Sequence, residues 1–192
     1  PAKLLHGHIE ELIEAGADAI FYPCMSYNID ENLGDNHYNC PVVAYYPEVI
    51  KSNVKAIENI KFICDYVGIH RPKDFVKKFH KILQSHFGEI PFNDVKKAVN
   101  LAYDEYDIYL KKIEQKGAEY LEAAKKANMP VIILSGRPYH IDPEICHGID
   151  KLVCSLNAVV LTERSISHLV SKFPVNVLNQ WTYHSRLFAA AK

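Results

Sequence analysis

The spacing of apolar residues along the chain predicts helices in three places. Near the amino end, apolar positions three and four residues apart form one helical face that ends before Gly16. They are Leu5, Ile9, Leu12 and Ile13. A similar pattern follows Pro72 and ends before Gly88. A third runs from Asn93 to Ala127 without a proline and predicts a helix of about 50 Å. A helix of that length is expected to link two lobes or to pack against a partner.

Short apolar runs between these helices predict the strands of an α/β fold. In the first part, Asp18 to Tyr22 and Val42 to Tyr45 flank a polar loop from Met25 to Asn39. The loop is too polar to fill a core and is expected to close over Cys24 and Cys40. In the second part, Val131 to Leu134 and Ala158 to Thr162 lie about one βαβ unit apart, so these two strands are expected to be parallel.

Turn residues between the strands predict how the remaining elements start. Pro47 can open a helix after the second strand, and Asp142 is expected to cap a helix that has Pro143 in its first position. The segment from Val177 to Ala190 is interpreted as a final helix. Periodicity does not decide between strand and helix from Ile60 to Ile69.

These elements predict two α/β lobes with flavodoxin-like or Rossmann-like parallel sheets. The first lobe comprises residues 1–127 with the long connecting helix, and the second comprises residues 128–192. Both ends of the chain lie inside predicted helices, and two parallel strands cannot bury both faces by themselves. We therefore interpret the sequence as a piece of a longer protein, incomplete at both ends.

Composition and charge mainly exclude classes of protein. The chain has 192 residues, 48% hydrophobic and 23% charged, which is typical of a soluble globular protein. With 22 basic and 23 acidic residues, it has no general attraction for nucleic acid or anionic lipid. No apolar run approaches the roughly 20 residues that span a bilayer, so a cytoplasmic location is expected. Five cysteines at irregular spacing indicate reduced thiols or metal ligands, not a disulfide framework.

Two cysteines lie beside prolines at predicted junctions between a strand and a loop. Cys24 follows Pro23 at the end of the first strand, and Cys40 precedes Pro41. An accessible thiolate at such a junction can hold a metal or an iron-sulfur cluster. Two thiolates are fewer than the four ligands that a cluster or a structural zinc needs, so buried and inert thiols are the alternative.

The loop after the strand from Val131 to Leu134 is the second candidate site. Ser135 and Gly136 let the backbone approach a ligand. Arg137 can bind phosphate or carboxylate through paired hydrogen bonds, and His140 can exchange a proton. The loop is neither a G-x-G-x-x-G nor a Walker motif. A bracing arginine is the alternative to a ligand-binding one. As a binding site, the loop predicts a non-catalytic anion-binding or docking module with structural cysteines.

Four runs of residues resemble one family, and together they extend over nearly the whole chain. They are Pro1-Ala-Lys-Leu-Leu-His-Gly-His8, Phe21-Tyr-Pro-Cys24, Asn39-Cys-Pro-Val-Val43 with Tyr46-Pro-Glu-Val-Ile50, and Gly136-Arg-Pro-Tyr-His-Ile-Asp-Pro-Glu-Ile145 with His147-Gly-Ile149. The family is that of the acyl-CoA dehydratase activase-related proteins. Its amino-terminal portions resemble the ATP-driven activator of 2-hydroxyglutaryl-CoA dehydratase, and its later portion resembles the cluster-carrying dehydratase subunits.

The resemblance implies a double-lobed domain of an iron-sulfur protein. The parent protein would hold a four-iron, four-sulfur cluster, with Cys24 as a ligand and Cys40 as a second candidate. It would take part in ATP-linked, low-potential electron transfer to a CoA-thioester-type system, as an activase, a reductase or a dehydratase-like component.

The resemblance also implies partners. They are an ATPase activator domain, of the same or another chain, and a dehydratase or CoA-thioester partner. The chain has none of the activator's phosphate-loop pattern, so ATP would bind a separate domain, and this part alone is expected to be inactive. A homodimer through the long helix is a further expectation.

Overall fold

The computed structural model describes residues 2–192, so Pro1 lies outside the described residues. The architecture is α/β, as predicted. The α-helices are α1 (Ala2–Glu14), α2 (Pro41–Asn53), α3 (Pro72–Phe87), α4 (Phe92–Lys126), α5 (Pro143–Cys146), α6 (Ile149–Ser155), α7 (Glu163–Ile166) and α8 (Thr182–Ala191). The strands are β1 (Ala19–Phe21), β2 (Cys24–Tyr27), β3 (Lys61–Ile63), β4 (Tyr66–Gly68), β5 (Val131–Leu134) and β6 (Val159–Thr162). Short 3₁₀ helices are Lys55–Asn59, Pro138–Ile141 and Ser167–Leu169.

Contacts divide the chain into two compact units. The first comprises Pro1–Ile29 and Tyr38–Leu101, and the second comprises Asp30–His37 and Ala102–Lys192. The division falls inside α4, so this helix contributes residues to both units. The domain boundary predicted at residue 127 lies at the other end of the same helix and stays a prediction.

The first unit has two pairs of parallel strands, one before and one after Pro23. β1 pairs with β3, and β2 pairs with β4. Between them, the Tyr22 amide donates to the Ile63 carbonyl at 2.9 Å, and the Cys24 amide donates to the Asp65 carbonyl at 3.0 Å. Pro23 lies between these two hydrogen bonds and needs no amide of its own, because alternate residues of a strand direct their amides to opposite sides. The first strand, β1, ends at Phe21, before Pro23, as predicted, and Cys24 begins the next strand, β2.

Helix α2 replaces a predicted strand. The run from Val42 to Tyr45 is helical, because Pro41 occupies the first turn of α2, where the missing amide hydrogen costs nothing. A short apolar run does not distinguish a strand from a buried helix face. Pro47 lies inside the helix and is buried, so it does not open it.

The core of the first unit forms where α1, β1 and α2 meet. Its main cluster of buried residues is Ile9, Ile20, Ile50, Val54 and Ile57. A second cluster comprises Ile63, Val67 and Ile82 from β3, β4 and α3. The uncertain region from Ile60 to Ile69 thus supplies two short strands, and each places one side chain in this second cluster.

The second unit is built on the pair β5 and β6. The strands are parallel, as predicted, with register from Val131 opposite Val159 to Leu134 opposite Thr162. Both strands therefore end at the same edge of the sheet. Asp142 caps α5 as predicted, since its carboxylate accepts hydrogen bonds from the amides of Glu144 and Ile145.

Two predicted helices differ in how well their bounds agree with the structure. The long helix α4 spans 35 residues, Phe92–Lys126, close to the predicted run. The final helix begins only at Thr182, five residues after the predicted start. Across residues 2–192, no helix has both the length and the apolar character that a membrane span requires.

Candidate functional site

The loop after β5 folds back on itself around Gly136. His140 Nδ1 accepts a hydrogen bond from the Arg137 amide at 3.0 Å, so a neutral His140 carries its proton on Nε2. A Cβ atom at Gly136 would lie 2.3 Å from that same Nδ1. Only glycine leaves room for the imidazole here. The sequence predicted a close approach of a ligand at Gly136, whereas the structure places the His140 ring there.

Tyr183 of α8 ties this loop to the end of β6. Its hydroxyl lies 2.5 Å from the Gly136 carbonyl oxygen and 2.9 Å from Glu163 Oε1, so two acceptors share one proton. Burial raises the pKa of Tyr183, and the Glu163 carboxylate acts in the same direction. The side chain therefore remains a neutral donor that fixes the position of Gly136.

A cavity of about 390 Å³ lies at the shared carboxyl edge of β5 and β6. Three arginines line it, Arg137, Arg164 and Arg186, together with His140 and Glu163. Its apolar wall is formed by Tyr106, Tyr109, Leu110, Ile113, Leu134 and Ile141. A mainly apolar cavity with a few convergent polar groups is the usual form of a small-molecule site.

Of the four predicted residues of this loop, the structure brings three to the cavity. Gly136, Arg137 and His140 are among its lining residues. Ser135 lines a smaller neighbouring cavity of about 170 Å³, beside Cys146 and Ile145. Their roles in binding a ligand stay predictions.

Glu31 holds two of the arginines in place. Arg186 donates from Nε and Nη2 to its two carboxylate oxygens, and Arg164 donates from Nη1 to Oε1 at 2.7 Å. Burial by itself would lower the pKa of Arg186, but the hydrogen bonds and charge of Glu31 outweigh burial and raise it. The Arg186 guanidinium is therefore a fixed cation, and the hydrogen bond to Glu31 holds Arg164 beside it.

Glu31 belongs to the polar loop between β2 and α2, yet it packs in the second unit. The loop segment Asp30–His37 is held there also by the Asp35 amide, which donates to the Asn179 carbonyl at 2.6 Å. The Asp35 carboxylate lies 2.7 Å from Lys172 Nζ. The sequence predicted a loop that covers Cys24 and Cys40, and instead the centre of the loop supplies a carboxylate to the arginines.

Cys24 is fully buried, in contrast to the accessible thiol that the sequence predicted. Burial raises the pKa of the Cys24 thiol, and the neighbouring Cys64 and Glu48 act in the same direction. The amide of Glu48 opposes them in part. The side chain is thus a neutral thiol inside the first unit, and Cys64 is the other cysteine among the groups that raise its pKa.

Cys40 lies at the start of α2 and is half-buried. The preceding residue, Asn39, is fixed to β2 because its amide donates to the Ser26 carbonyl and its side chain donates to the Met25 carbonyl. The two predicted metal ligands therefore both belong to the first unit, on β2 and at the segment beside it.

A four-iron cluster needs a set of thiolates, and the described residues do not provide one. Within residues 2–192, no three His, Cys, Asp or Glu side chains are grouped so that they could hold a metal ion. Cys24 and Cys64 supply only two thiols. The Cys24 thiol is also buried and neutral, whereas a cluster binds thiolates. By themselves, these residues do not fit a cluster.

Sequence patterns missed most of the charged groups at the cavity. Glu163 and Arg164 directly follow β6, and charged residues at the end of a buried strand were a usable signal. Glu31 and Arg186 had no such signal, since they are 155 residues apart. Tyr183 lay in a predicted helix without any local mark of its role.

Comparison with known proteins identifies the family of the chain. Comparisons with curated proteins and with solved structures give no match. The profile of the family described as CoA enzyme activase uncharacterised domain matches residues 1–166. This range covers most of the 192 residues and includes β5, β6 and the loop of Arg137. The resemblance to activase-related proteins is confirmed, and the chain belongs to the family of this CoA enzyme activase domain.

Proposed function

We propose that the chain is a binding domain of a CoA enzyme activase system and that it holds an anionic group of a CoA-type ligand in the cavity at the ends of β5 and β6. One observation carries this proposal. Of the four arginines in the sequence, three line this single cavity. Guanidinium groups bind phosphates and carboxylates through paired hydrogen bonds, so their convergence favours an anionic ligand.

The walls of the cavity support an organic anion. Tyr106, Leu110 and Ile113 of α4 present apolar surface opposite the charged groups. His140 adds an Nε2 donor in its neutral form. The volume of about 390 Å³ suits one end of a CoA thioester, either its phosphates or its acyl part. The domain would bind and orient this end, without reacting with it.

Titration calorimetry with CoA tests the proposal on Arg137→Ala and on the unaltered chain. Loss of a hydrogen bond to a charged group costs about 1.5–3 kcal/mol, so the affinity should fall by roughly 10- to 100-fold. Arg71→Ala is the matched control, because Arg71 is exposed and lies in the first unit. No binding of CoA or inorganic phosphate by the unaltered chain, or an equal loss in the control, would contradict the proposal.

A second candidate function is the iron-sulfur role that the resemblance implies. One observation favours it: the Cys24 amide donates to the carbonyl of Asp65, the residue after Cys64, so the two cysteines lie on adjacent segments of the first unit. We propose Cys24 as a cluster ligand, and Cys40 as another, only in an assembly that supplies the remaining thiolates. ATP would bind a separate activator domain, and electron transfer would reach a CoA-thioester partner.

Anaerobic reconstitution with iron and sulfide tests this candidate in the full-length protein. Cluster absorption should appear, and Cys24→Ser should reduce it while Cys154→Ser, which changes an exposed cysteine, leaves it unaltered. Equal absorption in both variants would overturn the assignment of Cys24.

A further inference from the structure

The contact between Glu31 and two arginines has the geometry of a bound carboxylate ligand. Both oxygens of Glu31 accept hydrogen bonds from Arg186, from Nε at 3.0 Å and from Nη2. Arg164 Nη1 adds a third hydrogen bond to Oε1 at 2.7 Å. Paired donors from a planar guanidinium match a planar carboxylate, and this arrangement recognises such a group whether it belongs to the chain or to a ligand.

The two arginines have more donors than their present partners use. Arg186 Nη1 lies 3.8 Å from Glu163 Oε1, and Arg164 Nη2 lies 3.6 Å from Glu114 Oε1, distances too long for hydrogen bonds. Arg164 Nε is buried and has no hydrogen-bond partner among the described residues. A buried donor without a partner is costly, so an additional acceptor at this position would be favourable.

We propose that Arg164 and Arg186 form a second anion subsite in the cavity, for a carboxylate or phosphate group, and that Glu31 is its resident carboxylate in the absence of ligand. The inference rests on the proposed function of the cavity. Arg137 would hold one anionic group of the ligand, and the Arg164–Arg186 pair would hold another. The ligand class is therefore an organic molecule with two anionic groups, and its binding displaces Glu31 from the arginines.

The surroundings of Glu31 allow such an exchange. Its neighbours Asp30 and Asp35 are largely exposed, with 54% and 60% of their side-chain surfaces accessible. The segment Asp30–His37 has a separate attachment to the second unit, through the Asp35 amide and the Asn179 carbonyl. Glu31 can thus leave the arginines while the segment stays attached at Asp35.

Anion affinity in Glu31→Gln tests the inference. Glutamine keeps the shape of the side chain but removes the charge that competes for the guanidinium groups, so affinity should rise at least tenfold. Inorganic phosphate and succinate are titrated separately, which distinguishes a phosphate subsite from a carboxylate subsite. Asp35→Asn is the matched control, since it removes a carboxylate of the same segment that pairs with Lys172 instead. The control should bind each anion as the unaltered chain does.

Hydrogen exchange on the unaltered chain gives a second test that does not depend on the stability of a variant. Addition of CoA or succinate should increase exchange in residues 30–37, because the ligand releases Glu31. A decrease there, or an unchanged or lower anion affinity in Glu31→Gln, would overturn the inference and show that Glu31 only braces the arginines. These outcomes leave the proposed function intact if Arg137→Ala still weakens CoA binding. Absence of any anion binding in the unaltered chain would overturn both.

Discussion

At the cavity, hydrogen bonds between residues that are distant in sequence hold the side chains in position. Tyr183 connects the Gly136 carbonyl with Glu163 Oε1. Gly136 in turn leaves room for the His140 ring, because a Cβ atom at position 136 would lie 2.3 Å from His140 Nδ1. The position of the Arg137 loop therefore depends on a tyrosine 47 residues away from Gly136. Of this set, the sequence predicted Gly136, Arg137 and His140, which lie just after a buried strand, and Glu163 carried the same signal after β6.

The phenol of Tyr183 should make stability depend on pH above its ordinary pKa of 10.0. Its pKa is raised in the folded state, so the unfolded chain loses this proton first as the pH rises. The contribution of the neutral phenol to the free energy of unfolding is complete below pH 10 and declines above it. Tyr183→Phe should lose about 1–3 kcal/mol of stability at pH 8, through the missing hydrogen bonds. The difference from the unaltered chain should shrink between pH 10 and 11.

Denaturant unfolding from pH 8 to pH 11 measures this difference. Tyr139→Phe is the control, because Tyr139 is an exposed tyrosine of the same region. A difference that stays constant with pH would show that the phenol of Tyr183 is not held as a neutral donor.

At the scale of secondary-structure elements, the close approach of α4 and α7 shapes the second unit. Gly117 of α4 is buried, and a Cβ there would lie 2.4 Å from the Ser165 carbonyl oxygen. Gly7 of α1 is exposed, and apart from its chain neighbours and the backbone of its own helix no described atom lies within 4 Å of its Cβ position. Helical periodicity predicted both helices but did not distinguish the tightly packed Gly117 from the exposed Gly7.

The same substitution should have opposite effects at these two glycines. Gly7→Ala should stabilise the chain by about 0.5–1 kcal/mol, because alanine loses less backbone entropy in a helix. Gly117→Ala gains the same backbone-entropy contribution. It also forces α7 away from α4, and such overpacking costs about 1–3 kcal/mol. The net effect at Gly117 should be destabilising. Midpoints of thermal unfolding measure both, and a rise in both variants would contradict the tight packing at Gly117.

At the scale of the whole molecule, the chain divides into two units. The division falls inside α4, and the segment Asp30–His37 from the first part of the chain belongs to the second unit. The candidate anion site uses only residues of the second unit, including Glu31 from the segment Asp30–His37. The cysteine pair Cys24 and Cys64 lies only in the first unit. The two candidate functions therefore belong to different units and can be tested separately.

Thiol labelling should show that a ligand stabilises the two units to different extents. Cys24 of the first unit and Cys146 of the second are both buried, so each reacts only after its unit opens. CoA at about 100 times its dissociation constant should slow labelling of Cys146 by up to roughly 100-fold. Labelling of Cys24 should not change, and the exposed Cys154 should react at once with or without ligand. Equal slowing of Cys24 and Cys146, measured by peptide mass spectrometry, would show that the units open together.

The sequence by itself determined the local elements. Periodic apolar residues, prolines in first turns and the cap at Asp142 predicted α3, α4 and α5, together with the parallel pair β5 and β6. These signals are local, because they express the preferences of residues within a few positions of each other. The same limit explains the error at Val42 to Tyr45, where a short apolar run fits either a strand or a helix.

Only the tertiary structure decided which side chains meet and which are buried. It buried Cys24 within a paired strand and placed Glu31 against Arg186, which is 155 residues away. Burial and ion pairing depend on contacts between distant segments, and no local pattern encodes such contacts. The residues that line the cavity became a candidate site only when the fold brought them to one edge of a sheet.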